Sequence, residues 1–311
     1  MKINELIINK QNIYKKEDKH NKIFKILLSF TFLFIINFFS SCLINNNKIV
    51  ENALYKINKK NDKLKLNFNN FTSYSQFLED FILYCILYDI DKGFYIDVGA
   101  NDPNKISVTK AFYLYGWHGI NIEPLPNAFS NLIKYRTRDI NLNYGAGQKD
   151  DKLILYIIGK TGSGSTLNKN FSRYSKSINI EIHPMSKICN KYVPKNEEIE
   201  FCKIDVEGYE KNVLLGYDFI NFRPKIFCIE STIPGKFIPS YNEWEYILLE
   251  NGYKFGFQYA INRYYFDSKI DYLSNRFINL GKYIKEYNEI LKKKNKKNIS
   301  FSISSIVVYY E

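Results

Sequence analysis

Between residues 71 and 270 short apolar runs alternate with segments of helical spacing. "SQFLEDFILYCILYD" (75–89) sets Phe77, Phe81, Ile82, Tyr84 and Cys85 along one helix face. An apolar strand "GFYIDVGA" (93–100), a helix "SVTKAFYLYG" (107–116) and a strand "GINIEP" (119–124) come next. A helix "NAFSNLIKYR" (127–136) and strands "DINLNYGAG" (139–147) and "KLILYIIG" (152–159) follow, and then an irregular stretch to about 195. The pattern resumes with a strand at 198–208, a helix at 209–216, a strand at 224–231 and a helix at 242–252 ending on Gly252. "YKFGFQYAI" (253–261) and "RYYFDS" (263–268) close the series. Continuous apolar strands joined through helices predict an α/β domain, with a mostly parallel sheet covered by helices on both faces. The last two strands are too close for a crossover, so they predict an antiparallel strand at the sheet edge.

The ends carry a different pattern. Residues 1–25 form a basic tail, and 26–44, "ILLSFTFLFIINFFSSCLI", form an uncharged run of 19 residues. That run is long enough to span a bilayer and reads as a single-pass anchor or signal segment. Lysines flank it six to five, so positive-inside counting does not choose the side on which the domain lies. Small residues before Cys42 loosely resemble a lipoprotein processing site, an alternative to the anchor. Residues 45–70 are a Lys/Asn-rich linker, and 271–311 a C-terminal extension carrying "KKKNKK" at 292–297.

Charge changes the picture only when divided along the chain. Of the net +12, residues 1–70 hold 13 Lys against 5 acids, and 271–311 hold 8 basic residues against 4 acids. The central 71–270 carries 23 of each and is neutral. Binding a phosphate backbone needs the basic residues on the binding domain itself, so nucleic acid is excluded as the expected partner. Cys42, Cys85, Cys189, Cys202 and Cys228 form no CxxC pair, and neither a disulfide framework nor a zinc site is expected.

Ligands of open α/β sheets bind outside the carboxyl ends of the strands, and the unusual residues fall there. Asp97, Gly99 and Asn101 end the first strand in "FYIDVGANDP". Gly99 permits a turn and a close backbone approach, while Asp97 and Asn101 offer polar contacts. Asn101-Asp102-Pro103 stands where a dinucleotide fold would place its next glycines, and Pro103 lacks an N–H. Glu123 ends the second strand 24 residues after Gly99, where a carboxylate can accept both ribose hydroxyls. A ribose carboxylate without a phosphate loop points to a nucleoside cofactor lacking phosphates, and S-adenosylmethionine fits. "KIDVEGYE" (203–210) adds Asp205 and Glu207, expected on one side of an extended chain, with Gly208 turning it into a helix. Lys203 shares that side, so an ion pair is the plain alternative. With no histidine nearby, no metal site is expected.

"FYIDVGANDP", "GWHGINIEPLP", "RDINLNYGAG", "FCKIDVEGYEKNVLLGYDF", "RPKIFCIES" and "GYKFGFQYAINRYYF", in that order, resemble the FkbM family of S-adenosylmethionine-dependent methyltransferases. "SQFLED" resembles that family's entry segment, with Leu78 where Gly is common, and His118 stands where Arg is frequent. The resemblance runs from about 73 to 285. It implies a class I, Rossmann-like methyltransferase domain and methyl transfer to a hydroxyl of a glycan, glycolipid or related small molecule. By it, Asp97, Gly99 and Asn101 would line the methionine portion of the cofactor. Glu123 would hold the ribose, and Asn143 to Ala146 would border the adenine. Asp205, then Glu207, then Glu230 would be the base that takes the hydroxyl proton, with His183 a further candidate from the irregular stretch. Two other readings stand beside it: a membrane-anchored, non-catalytic binding protein on the same fold, and a nicotinamide-dependent oxidoreductase, which the missing third glycine disfavours.

Overall fold

The computed structural model describes residues 72–280 except 160, 161, 163 and 170–175. The basic tail, the apolar run 26–44, Cys42, the linker up to residue 71 and the extension beyond 280 lie outside the described residues. Among the described residues no helix is long and apolar enough to cross a membrane.

The elements, in chain order, are α1 (Glu79–Ile86), β1 (Phe94–Val98), α2 (Lys110–Leu114), β2 (His118–Ile122), α3 (Pro126–Tyr135), β3 (Ile140–Leu142), β4 (Gly145–Gly147) and β5 (Asp151–Ile157). Then come β6 (Lys176–Pro184), α4 (Met185–Tyr192), β7 (Ile199–Ile204), α5 (Glu210–Leu215), β8 (Ile226–Glu230), a short 3₁₀ turn (Tyr241–Glu243), α6 (Glu245–Glu250), β9 (Tyr253–Tyr259) and β10 (Asn262–Asp267). Residues 271–280 are helical.

Seven strands form one sheet in the order β3-β2-β1-β7-β8-β10-β9. The first five are parallel, while β10 runs antiparallel to both β8 and β9. The predicted mostly parallel α/β sheet and its antiparallel edge are therefore present. All five residues of β1 and of β8, and all six of β7, are buried, as strands covered on both faces must be. Phe94, Ile96, Cys202, Ile204, Phe227 and Ile229 contribute to the main core, with Val213, Leu214 and Leu248 from α5 and α6.

Within the stretch to about 195 expected to be irregular, residues 176–192 form a strand and a helix instead. β6 pairs antiparallel with β5 and parallel with β4 in a separate sheet of order β4-β6-β5. Ile180 and Ile182 are buried between exposed polar neighbours, so this is a half-buried strand of period two. The single strand expected over 139–147 breaks at Asn143 and Tyr144, with β3 joining the large sheet and β4 the small one. Leu125 and Ala128 of the α3 region pack with Leu155, Ile157, Ile180 and Ile182 as a satellite core. The first turns of the expected C-terminal extension bury Leu273, Phe277 and Leu280, and Phe277 stacks on Phe266 at 5.5 Å.

Candidate active site

β1 lies between β2, its successor in the chain, and β7, which returns from the small sheet, so the strand order reverses at the β1–β7 boundary. In an open α/β sheet such a reversal opens a crevice at the carboxyl ends of the strands. Here the strand ends are tied by backbone bonds: Gly99 N–H and Ala100 N–H donate to the Ile122 carbonyl, Asp205 N–H to Val98, and Glu123 N–H to Leu142. A cleft of about 890 Å³ opens there, lined among others by Gly99, Asn101, Glu123, Ala146, Lys203, Asp205, Glu207 and Glu230.

Gly99 has φ +77°, and a Cβ on it would sit 1.9 Å from the Asp205 carbonyl oxygen. The close approach that demands glycine is thus to the chain's own β7 end rather than to a ligand. Asn101 follows in the left-handed region at φ +50°, which asparagine tolerates. Its N–H donates to Glu123 Oε2 at 2.7 Å, and Leu125 N–H donates to Glu123 Oε1 at 2.8 Å. Glu123 is only 3% exposed, and burial pushes its pKa up to about 7 against the lowering pull of those two donors. The Asp102 side chain accepts from the N–H groups of Asn104 and Lys105. The N–H groups of Gly99, Ala100, Asn101, Asn104 and Lys105 are therefore spent inside the protein, and Pro103 has none. That leaves this turn without the row of backbone donors that cradles a pyrophosphate.

Three carboxylates meet in the lining of the same cleft. One oxygen each from Asp205, Glu207 and Glu230 lies within 4.8 Å of the other two. The sequence expectation that Asp205 and Glu207 share a side of an extended chain holds only as proximity. β7 ends at Ile204, and Glu207 and Gly208 both have positive φ, +53° and +95°. Buried Glu210 secures this turn by accepting the Val206 and Gly208 N–H groups, and Thr166 from the β5–β6 segment donates to the Glu207 carbonyl at 2.7 Å. Burial first, then the neighbouring carboxylates, raise the pKa values of Glu207 and Glu230.

Lys203, weighed from sequence as an ion-pair partner, is one. Its Nζ donates to the Gly99 carbonyl at 2.7 Å and lies 3.3 Å from Asp97 Oδ1 and 3.6 Å from Asp205 Oδ2. Burial alone would pull its pKa down, but Asp97 and Asp205 outweigh that and raise it.

Not every expected residue reaches the cleft. Asp97 is buried behind it, accepting the Thr109 hydroxyl at 2.9 Å and pairing with Lys203. Asn143 also lies off the cleft lining, and its amide donates to the carbonyls of Glu123 and Pro124, pinning the β3–β4 break to the end of β2. His183 stands apart, its Nδ1 against Asp150 and its ring edge-on to Tyr144. His118, at the start of β2, meets Phe94 edge-to-face, away from the cleft lining. Sequence reading missed Arg136, a buried guanidinium that donates to the Pro103 and Thr109 carbonyls and the Ser107 hydroxyl, holding the loop that carries Asn101. It also missed the small sheet, whose Leu155, Ile180 and Ile182 give the cleft an apolar wall. The alternation of isoleucines at 178, 180 and 182 was the available signal.

A turn whose backbone donors are largely taken, a buried carboxylate after β2 and carboxylates at the ends of β7 and β8 match an α/β site for a cationic or hydroxyl-bearing ligand. No curated protein matches this chain. The family model of the methyltransferase FkbM domain matches residues 97–255, more than half of the chain, beginning at Asp97 and ending on Phe255 in β9. With the strand-end residues of β1, β2, β7 and β8 all inside that span, the chain belongs to the FkbM methyltransferase family.

Proposed function

We propose that the cleft binds S-adenosylmethionine and that the protein is an O-methyltransferase, acting on a hydroxyl of a glycan, glycolipid or related small molecule. The observation that carries this reading is Glu123, buried, facing the cleft and already holding Asn101 and Leu125. Each of its oxygens can accept one more hydrogen bond, enough for the two hydroxyls of a ribose. The spent N–H groups of the 99–105 turn favour a nucleoside without phosphates over a dinucleotide. Ala146, Leu125 and Ile180 offer apolar surface for a base, and Gly99 and Asn101 border the space between that surface and the carboxylates. Asp97 supports the site from behind through Lys203 rather than by touching the ligand.

S-adenosylmethionine, when bound, supplies a methyl on a sulfonium: the acceptor oxygen forms the new C–O bond while the S–C bond breaks, its electron pair staying on sulfur. The protein's part is to hold the acceptor in line and to take the hydroxyl proton. Asp205, half-buried at the cleft wall, is the first proton acceptor, with Glu207 and Glu230 beside it. Net acidity here also suits a sulfonium, since Lys203 is the one cation among the described residues within ion-pair distance of these groups.

Replacing Glu123 by Ala removes the ribose acceptor. Isothermal calorimetry with S-adenosylmethionine is expected to show at least a 100-fold loss of affinity for Glu123→Ala, and unchanged affinity would refute the ribose assignment.

A further inference from the structure

We propose that Asp205, Glu207 and Glu230 form a site for a hard divalent cation, magnesium or manganese, which takes the acceptor oxygen as a further ligand. The proposal rests on the cleft being the methyl-transfer site, and it assigns to these three residues a binding role beyond proton removal.

Three carboxylates offering one oxygen each, mutually within 4.8 Å, bracket a volume in which each can ligate the same ion. All-oxygen donor sets of this kind select magnesium, manganese or calcium over softer metals. Proximity alone does not make a site, because acidic groups often cluster at strand ends. The independent observation is Glu230. It is 5% exposed, it lines the cleft, and its Oε2 has no hydrogen-bond partner among the described residues. A buried carboxylate oxygen without a donor costs free energy that a ligand would recover.

The surroundings supply no substitute cation among the described residues. Lys203 is engaged by the Gly99 carbonyl and Asp97 and reaches only Asp205, at 3.6 Å. Glu210 stands behind the turn, with Oε1 occupied by two backbone N–H groups. The carboxyl groups of Asp97, Asp205, Glu207 and Glu230 thus have one ammonium among them, and it pairs with Asp97 and Asp205 only. A divalent ion held by three carboxylates keeps coordination positions for water and for a substrate hydroxyl. An oxygen ligated there is polarised and fixed in place, and its proton passes to the oxygen of Asp205 that does not ligate as the C–O bond forms. The sequence expectation of no metal counted two carboxylates from one segment. The third comes from β8, which only the fold brings alongside.

The test is a manganese(II) titration of the full chain, followed by the electron paramagnetic resonance signal of free manganese. One saturable site is expected, displaced by excess magnesium, with at least a tenfold weaker affinity in Glu230→Gln and in Asp205→Asn. Circular dichroism melts establish that each variant folds. Asp205 is half-buried at the cleft edge, so Asp205→Asn decides the matter if Glu230→Gln does not fold. No saturable site, or affinity unchanged in the folded variants, overturns the proposal and leaves the three groups as carboxyls sharing protons. A parallel titration with S-adenosylmethionine in the presence of a chelator reads the methyl-donor site separately. Manganese binding without S-adenosylmethionine binding would therefore sink the functional reading and spare the cation site.

Discussion

Glu123 combines two demands that pull against each other. Its carboxylate is stripped of water, yet it must stay able to accept hydrogen bonds from Asn101, Leu125 and a ligand. Burial raises its folded pKa from 4.5 to about 7. Between those values the folded state holds a proton that the unfolded chain has lost, so stability falls as pH rises through this window and levels off above it. A difference of this size is worth roughly 3 kcal/mol. Buried Glu79 and Glu210, each also raised to about 7, tilt the curve the same way. Denaturant unfolding at pH 5 and pH 8 is therefore expected to show a smaller pH-dependent loss in Glu123→Gln than in the wild type. Equal slopes would contradict the assignment of that proton to Glu123. The residue types at the strand ends were legible in the sequence, but not all of their roles were. Gly99 is required by the Asp205 carbonyl 1.9 Å from where its Cβ would be, a neighbour 106 positions along the chain. Asp97 reads as a ligand contact until Lys203 and Thr109 are seen to occupy it. Leu78 is the converse case. The resemblance to the FkbM family puts it where Gly is common, and its φ of +60° gives the reason.

The elements divide by how their periodicity is expressed. β1, β7 and β8, buried along their length, declare themselves as unbroken apolar runs. β6 alternates buried isoleucines with exposed polar residues and sits in a stretch rich in Lys, Ser and Asn, so the composition of a loop hides a strand. The break between β3 and β4 depends on Asn143 bonding to the end of β2, a contact that no local pattern encodes. The helical residues 271–280 hold no lysine, unlike the basic stretch that follows them, and they carry buried apolar side chains that belong to the fold. Phe277 lies against Phe266 and Tyr264 and close to Gly256. Phe277→Ala is expected to cost about 3–5 kcal/mol in chemical unfolding, the usual range for a buried phenylalanine. A cost under about 1 kcal/mol would mean that this helix is not part of the cooperative fold.

For the molecule as a whole, the strand order brings four separated segments to one cleft. The turn after β1 contributes Gly99 and Asn101, the end of β2 Glu123, the end of β7 Asp205 and Glu207, and the end of β8 Glu230. The sequence expectation of a parallel α/β sheet was enough to predict this convergence, because all four lie at carboxyl ends of parallel strands. It did not reveal the second sheet that gives the cleft its apolar wall, nor the approach of Glu230 to Asp205 and Glu207. Family membership establishes a methyltransferase domain, and the geometry bears on which donor it uses. The most direct measurement is a pair of calorimetric titrations of the full chain, one with S-adenosylmethionine and one with NAD. Saturable binding of S-adenosylmethionine with no heat from NAD is the predicted result. Binding of NAD in preference, or of neither, would contradict the account.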